Sequence, residues 1–188
     1  MENFVGNGGT DYVISAHVAD ENGPGSNTGA VYIIDGGQLE NLDQADLSND
    51  QDIQLASVAA NATSYQISHS DNGRQLGFNL DRVDDIDGDG RSELLIGFRY
   101  GAVLVSSADL AAADALGTPG DGLIGTDELV QGLNANSYIF SPGNIQGNVS
   151  YAGDVDGDGI GDFFLGFPGV TSGDGAGFLI RGSQLEAM

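Results

Sequence analysis

The chain has no cysteine, no tryptophan and no lysine, and its five basic residues, all arginine, face 28 acidic ones. Without cysteine there is neither a disulfide framework nor a thiolate metal site, so stability rests on packing and on any bound ion. The formal net charge of -23 leaves no basic patch to neutralise phosphates, which argues against nucleic acid as a partner. The same imbalance disfavours docking on an anionic membrane surface. No apolar run approaches the roughly 20 residues of a membrane span, so no membrane insertion is expected. The opening Met-Glu-Asn-Phe-Val-Gly-Asn-Gly-Gly has neither the basic start nor the apolar stretch of a secretory leader. No Gly-x-Ser-x-Gly elbow joins a strand to a helix. With no lysine anywhere, the glycines at Gly29-Ala30 and Gly175-Ala-Gly177 read as hairpin glycines and not as phosphate cradles.

What the chain has in abundance is glycine, 31 residues, and acid, on a background that is 40% hydrophobic. That hydrophobic share separates it from disordered acidic tails. Charge of one sign also strains a compact state, and bound divalent cations relieve such strain locally.

Two stretches say nearly the same thing. Asp85-Ile-Asp87-Gly-Asp89-Gly90-Arg91-Ser-Glu93 runs into Leu94-Leu95-Ile96-Gly97-Phe98. Asp154-Val-Asp156-Gly-Asp158-Gly159-Ile160-Gly-Asp162 runs into Phe163-Phe164-Leu165-Gly166-Phe167. Carboxylates at positions 1, 3 and 5, glycine at 6 and an acid at 9 form a calcium-loop spacing, because a tight loop aims alternate side chains at one centre. Calcium takes six to eight oxygens, so the backbone carbonyl of position 7 joins the set. The expected ligands are therefore Asp85, Asp87, Asp89, the Arg91 carbonyl and Glu93 in one loop. In the other they are Asp154, Asp156, Asp158, the Ile160 carbonyl and Asp162. These are not EF-hands, since position 12 is Ile96 or Leu165 instead of a bidentate glutamate. The clustered acids are better assigned to the ion than to glycosidase-type acid–base work. A third, degenerate loop, Asn3-Phe-Val5-Gly-Asn7-Gly8-Gly-Thr-Asp11, retains one acid and is too depleted to be counted as a calcium site. His17 and His69 have no partner at metal-ligand spacing.

The rest of the chain is organised by repetition. Gly29-Ala-Val-Tyr-Ile-Ile34 recurs as Gly175-Ala-Gly-Phe-Leu-Ile180, with Gly101-Ala-Val-Leu-Val105 between, and Ser64-Tyr65-Gln-Ile-Ser68 is echoed by Ser137-Tyr138-Ile-Phe-Ser141. Each unit reads as a short alternating strand, a calcium turn, a continuous apolar strand, a glycine-led third strand and a tyrosine-centred fourth. Apolar runs of four to five residues bounded by glycine fit strands covered on both faces. The expected units lie at about 1–68, 77–141 and 147–188, the first lacking its opening strand and the last stopping after its third. Two inserts, 40–63 and 111–136, open on short helical turns at Gln38–Asp43 and Asp109–Ala115. Their apolar residues (Ile53, Leu55, Val58; Ile124, Leu129, Leu133) are expected to pack over the outer edge of their own units.

The pattern of Gly77-Phe78, the acidic loop, Ile96-Gly97-Phe98 or Leu165-Gly166-Phe167-Pro168, and then the glycine-led strand resembles the FG-GAP repeat of integrin-type head propellers, in its bacterial tandem form. The likeness covers almost the whole chain and is most specific at the second and third loops. It implies an all-β fold of about three four-stranded β-propeller blades, the first and last incomplete. It also implies structural calcium at two sites and an extracellular or cell-surface, non-enzymatic role in adhesion or protein interaction. The partner would be a protein or glycan, and further repeats or further copies would flank the segment. The alternative function is a carbohydrate-binding or accessory domain of a secreted enzyme. Beyond the depleted first loop, the chain departs from the pattern in three places. Glu93 replaces aspartate, Asp84 stands where glycine is usual and is expected to face water, and Gln146-Gly147 replaces Gly-Phe.

Overall fold

The computed structural model describes residues 3–5, 9–45, 52–60, 63–131, 135–141, 147–169 and 173–185. Short strands joined by glycine-rich turns fill most of it. In chain order they are β1 (Tyr12–Ala16), β2 (Ala30–Ile34), the helix α1 (Leu39–Ala45), β3 (Tyr65–Ser68), β4 (Asn79–Val83), β5 (Glu93–Phe98) and β6 (Gly101–Val105). There follow the helix α2 (Leu110–Asp114), β7 (Leu123–Gly125), β8 (Tyr138–Phe140), β9 (Asn148–Gly153), β10 (Asp162–Phe167) and β11 (Ala176–Ile180). The protein is therefore mostly β-sheet with little helix, as the composition and spacing lead one to expect.

Among the described residues the strands form three sheets, ordered β1-β2-β3-β7, β4-β5-β6-β8 and β11-β10-β9. All pairings are antiparallel save one. Strand β7, which belongs to the second insert, runs parallel to β3 with Ile67 opposite Ile124. Residue order alone puts the insert's apolar residues over its own unit. Instead Ile124 adds a strand to the preceding sheet, and Ile124 and Leu129 pack in the core shared by the first two sheets. Leu133 lies outside the described residues.

Strand alternation explains how the sheets stack. In β5, Leu94, Ile96 and Phe98 face the first sheet and pack with Val31, Ile33 and Ile67. Leu95 points the other way and packs, with Ala102 and Leu104, against Val149, Phe163, Leu165 and Phe167 of the third sheet. The middle sheet is covered on both faces, hence its unbroken apolar runs. The first sheet's remaining face is partly covered by its own insert, where Leu42 and Val58 pack on Tyr32 and Ile34. On β10, Phe164 occupies the ladder position of Leu95 but is 48% exposed where Leu95 is 0%.

Polar contacts set the spacing of the second and third sheets. The Asn79 Nδ2 donates to the Val149 carbonyl at 3.0 Å, and Asp81 accepts the Tyr151 N–H at 2.8 Å. Asp84 receives the Tyr151 hydroxyl at 2.5 Å and Arg82 at 2.9 Å. Asp84 is thus solvent-exposed, as expected, but also a latch between sheets, which no spacing rule reveals.

Truncating Phe163 to alanine should cost about 3–5 kcal/mol, because a fully buried ring leaves a cavity. The neighbouring Phe164→Ala, on the open face, should cost less than about 1 kcal/mol in a dispersed sample. Urea unfolding of the two variants checks the contrast.

Candidate metal centre

Each acidic loop is a hairpin turn, β4 to β5 or β9 to β10, and its shape comes from glycines. Gly88 and Gly90 have φ of +77° and +84°, Gly157 and Gly159 +79° and +93°, while a Cβ at any of them would meet nothing within 4 Å. The constraint is therefore backbone conformation and not crowding. Sequence spacing singles out position 6; position 4 carries the same demand.

The first acid of each loop organises the turn. Asp85 accepts the Gly88 and Gly90 N–H groups at 2.7 and 2.9 Å, and Asp154 accepts those of Gly157 and Gly159 at 2.7 and 2.9 Å. Asp87 and Asp89 are tied to the corner that follows β6. The Ser106 hydroxyl donates to Asp87 at 2.5 Å and that of Ser107 to Asp89 at 3.1 Å. Arg91 donates to Ser107 at 3.1 Å, its guanidinium 3.8 Å from Asp89. In the other loop the Arg181 Nε lies 3.4 Å from Asp156.

The ninth-position acids are buried at the start of their strands. Asp162 has both oxygens engaged, one by the Val155 N–H at 2.8 Å and one by Gly182 at 3.1 Å. Asp11 repeats this with Val5 at 2.8 Å and Gly36 at 3.3 Å. Val5 thus does for Asp11 what Ile86 and Val155 do in the other loops, from six residues away instead of seven. Measured from that bond to its acid, the first loop is one residue shorter than its spacing suggests, so Asn3 does not fall at position 1. Asn7 itself lies outside the described residues.

Glu93 breaks the pattern. Its Oε2 accepts the Ile86 N–H at 2.6 Å, but Oε1 is buried with no hydrogen-bond partner, and the residue is 1% exposed. Burial, added to the charges of Asp87, Asp85 and Asp89, pushes its carboxyl up to about 8. A buried carboxylate oxygen without a partner is costly unless a cation or proton answers it.

Carboxylate oxygens of Asp85, Asp87, Asp89 and Glu93 lie within 4.8 Å of one another, as do those of Asp154, Asp156 and Asp162. Both groups are able to hold a metal ion, and the all-oxygen donor set suits a hard cation such as calcium. Of the sequence-selected acids, only Asp158 stays out of its group. Its carboxylate is engaged by the Ser183 side chain and the Ile160 N–H, which hold it below the usual carboxylate range. His17 packs edge-on to Phe78 and His69 against Phe98, and neither belongs to a carboxylate group. Comparison of the chain with protein-family models and with curated proteins finds no match.

In chelator, Glu93 gives stability a definite pH dependence. Its folded value of about 8 lies above the 4.5 of an unfolded glutamate, so the folded form holds the extra proton between them. Its contribution is therefore full below pH 4.5 and is lost as pH climbs towards 8. Thermal unfolding of the metal-free protein from pH 5 to 8.5 should show Glu93→Gln with the flatter profile.

Proposed function

We propose that this protein is a calcium-binding β-propeller module of the FG-GAP type that works outside the cell in adhesion or protein interaction, without catalysis. The observation that carries the reading is the buried, unpartnered Glu93 Oε1 beside three further carboxylates. A divalent cation answers that oxygen and the surrounding charge together. The ligands would be Asp85, Asp87, Asp89 and Glu93 with the Arg91 carbonyl, and Asp154, Asp156 and Asp162 with the Ile160 carbonyl, Asp158 being turned to Ser183 and the Ile160 N–H. Bound calcium would supply a positive centre that fixes the turn between the first two strands of a blade. In this reading the ion is structural and promotes no reaction, the buried Ser106 hydroxyl beside it being spent on Asp87 and the Ala108 N–H. Among those residues no helix is long and apolar enough to cross a membrane.

The blade reading is supported by the stacked sheets. In it β4-β5-β6-β8 is one blade, while β1-β2-β3 and β9-β10-β11 are blades that, among the described residues, lack a first and a fourth strand. Closed rings take about four to eight blades. The open faces would meet further blades, whether from neighbouring repeats or from other copies, and protein or glycan ligands would bind the completed ring.

Calcium at ten times its dissociation constant should add about 1.4 kcal/mol per site, a sizeable share of the ~5–15 kcal/mol of an ordinary domain. The melting temperature should therefore rise with calcium and fall with chelator, and an unchanged midpoint would sink the proposal. Asp87→Ala and Asp156→Ala should each remove one site in calorimetric titration. A separate expectation concerns the open faces, on which Tyr12, Ile14, Phe164 and Leu179 are exposed. In calcium, light scattering should find the isolated 19.3 kDa chain associated. A monodisperse, cooperatively folding monomer would overturn the blade count.

A further inference from the structure

The three ninth-position acids sit beside the same corner of their sheets, and three different residues occupy it. In the ladders Tyr12 pairs with Ile34, Leu94 with Val105 and Phe163 with Ile180. The next residue of each third strand therefore falls beside the acid: Asp35 by Asp11, Ser106 by Glu93 and Arg181 by Asp162. In the two acidic loops that corner residue touches the third-position aspartate, a neutral hydroxyl on Asp87 and a guanidinium on Asp156. The remaining carboxylates differ in the same sense. Four acids converge in the 85–93 loop, one with an unanswered buried oxygen; three converge in the 154–162 loop, where both oxygens of the buried acid are held by N–H groups. Arg91 brings positive charge to the first group as well, but at 3.8 Å from Asp89 and through the Ser107 hydroxyl.

We propose that the residue closing the third strand sets how far each loop depends on its cation. Ser106 leaves the 85–93 loop as the tighter calcium site. Arg181 acts as a built-in counter-charge that stabilises the 154–162 loop without the ion and competes with it, making that the weaker site. The inference rests on the calcium reading above. It goes beyond it by assigning Arg181, which is not a ligand, as the residue that separates the two affinities. The Arg181 side chain is 55% exposed, so water can take up its guanidinium when the ion arrives. Its effect is accordingly moderate and falls with salt.

Calorimetric calcium titration of the full chain at low ionic strength tests this, with Asp87→Ala and Asp156→Ala assigning the two sites. Wild type should show two unequal sites. Arg181→Ser should tighten the 154–162 site by roughly threefold to fivefold and leave the other within about twofold. Ser106→Arg should do the opposite to the 85–93 site. Arg181→Gln, which keeps the polar arm without its charge, gives the same answer if the serine variant folds poorly. In chelator Arg181→Ser should melt lower than wild type, yet gain more from calcium, a pairing that a purely structural role would not produce. Raising the salt to about 1 M should bring the two wild-type affinities together, because the screening length shrinks to about 3 Å. Neutral Arg181 variants that bind calcium no more tightly at the 154–162 site would overturn the proposal and leave the calcium reading intact. No binding heat in wild type or any variant would remove both.

Discussion

The fold depends most on a carboxylate placed where a strand begins. Asp11, Glu93 and Asp162 are each almost completely buried, and each accepts an N–H from the start of its own loop. Charge-assisted bonds of this kind exceed ordinary main-chain hydrogen bonds in strength, and they fix the loop's entry against the strand's first residue. Two of the three acids also accept an N–H from two residues past the end of the neighbouring strand, at Gly36 after β2 and Gly182 after β11. Where that second bond is missing, at Glu93, the longer side chain puts an oxygen into a space lined by other acids. One extra methylene separates a carboxylate with both oxygens bonded from one that keeps a buried oxygen unanswered.

From that anchor the stacking follows. The strand that starts at the acid sends alternate side chains to opposite faces, so one apolar run serves two interfaces at once. The polar residues of β4 use the same alternation, with Asn79 and Asp81 turned onto the backbone of β9. These bonds answer main-chain groups of a neighbouring sheet that no ladder reaches, which fixes the sheets' offset along the strands as well as their separation.

Much of this was legible from residue order because the relevant physics is local. Glycine at fixed loop positions, acid on alternate residues and continuous apolar runs each have a short-range cause, and the strands other than β7 lie where those signals put them. What was not legible depended on groups far apart in sequence. Asp84 lies 67 residues from Tyr151, its hydroxyl donor. The turn of Asp158 towards Ser183 depends on a corner after β11. The first loop's shorter span was hidden because an alignment of acids assumes equal spacing, whereas the bond from Val5 to Asp11 counts real backbone. The strand β7 has the plainest reason for being missed. Its three residues, Leu123–Gly125, look like part of an acidic, glycine-rich loop until a partner edge exists to pair with.

That partner edge belongs to the previous unit, and Gln66 must wait for Leu123, which follows only after the whole middle hairpin has been made. A protein built of repeats is often regarded as a string of beads, each complete before the next is made. Here the outer edge of one bead is sewn by thread from its neighbour. During synthesis β3 leaves the ribosome as a bare edge and stays one through the making of β4, β5, β6 and α2. An open edge of this kind invites pairing with the wrong chain. The order of manufacture therefore carries its own hazard, and the acidity of the whole chain, through mutual repulsion between nascent copies, is the simplest protection during that interval.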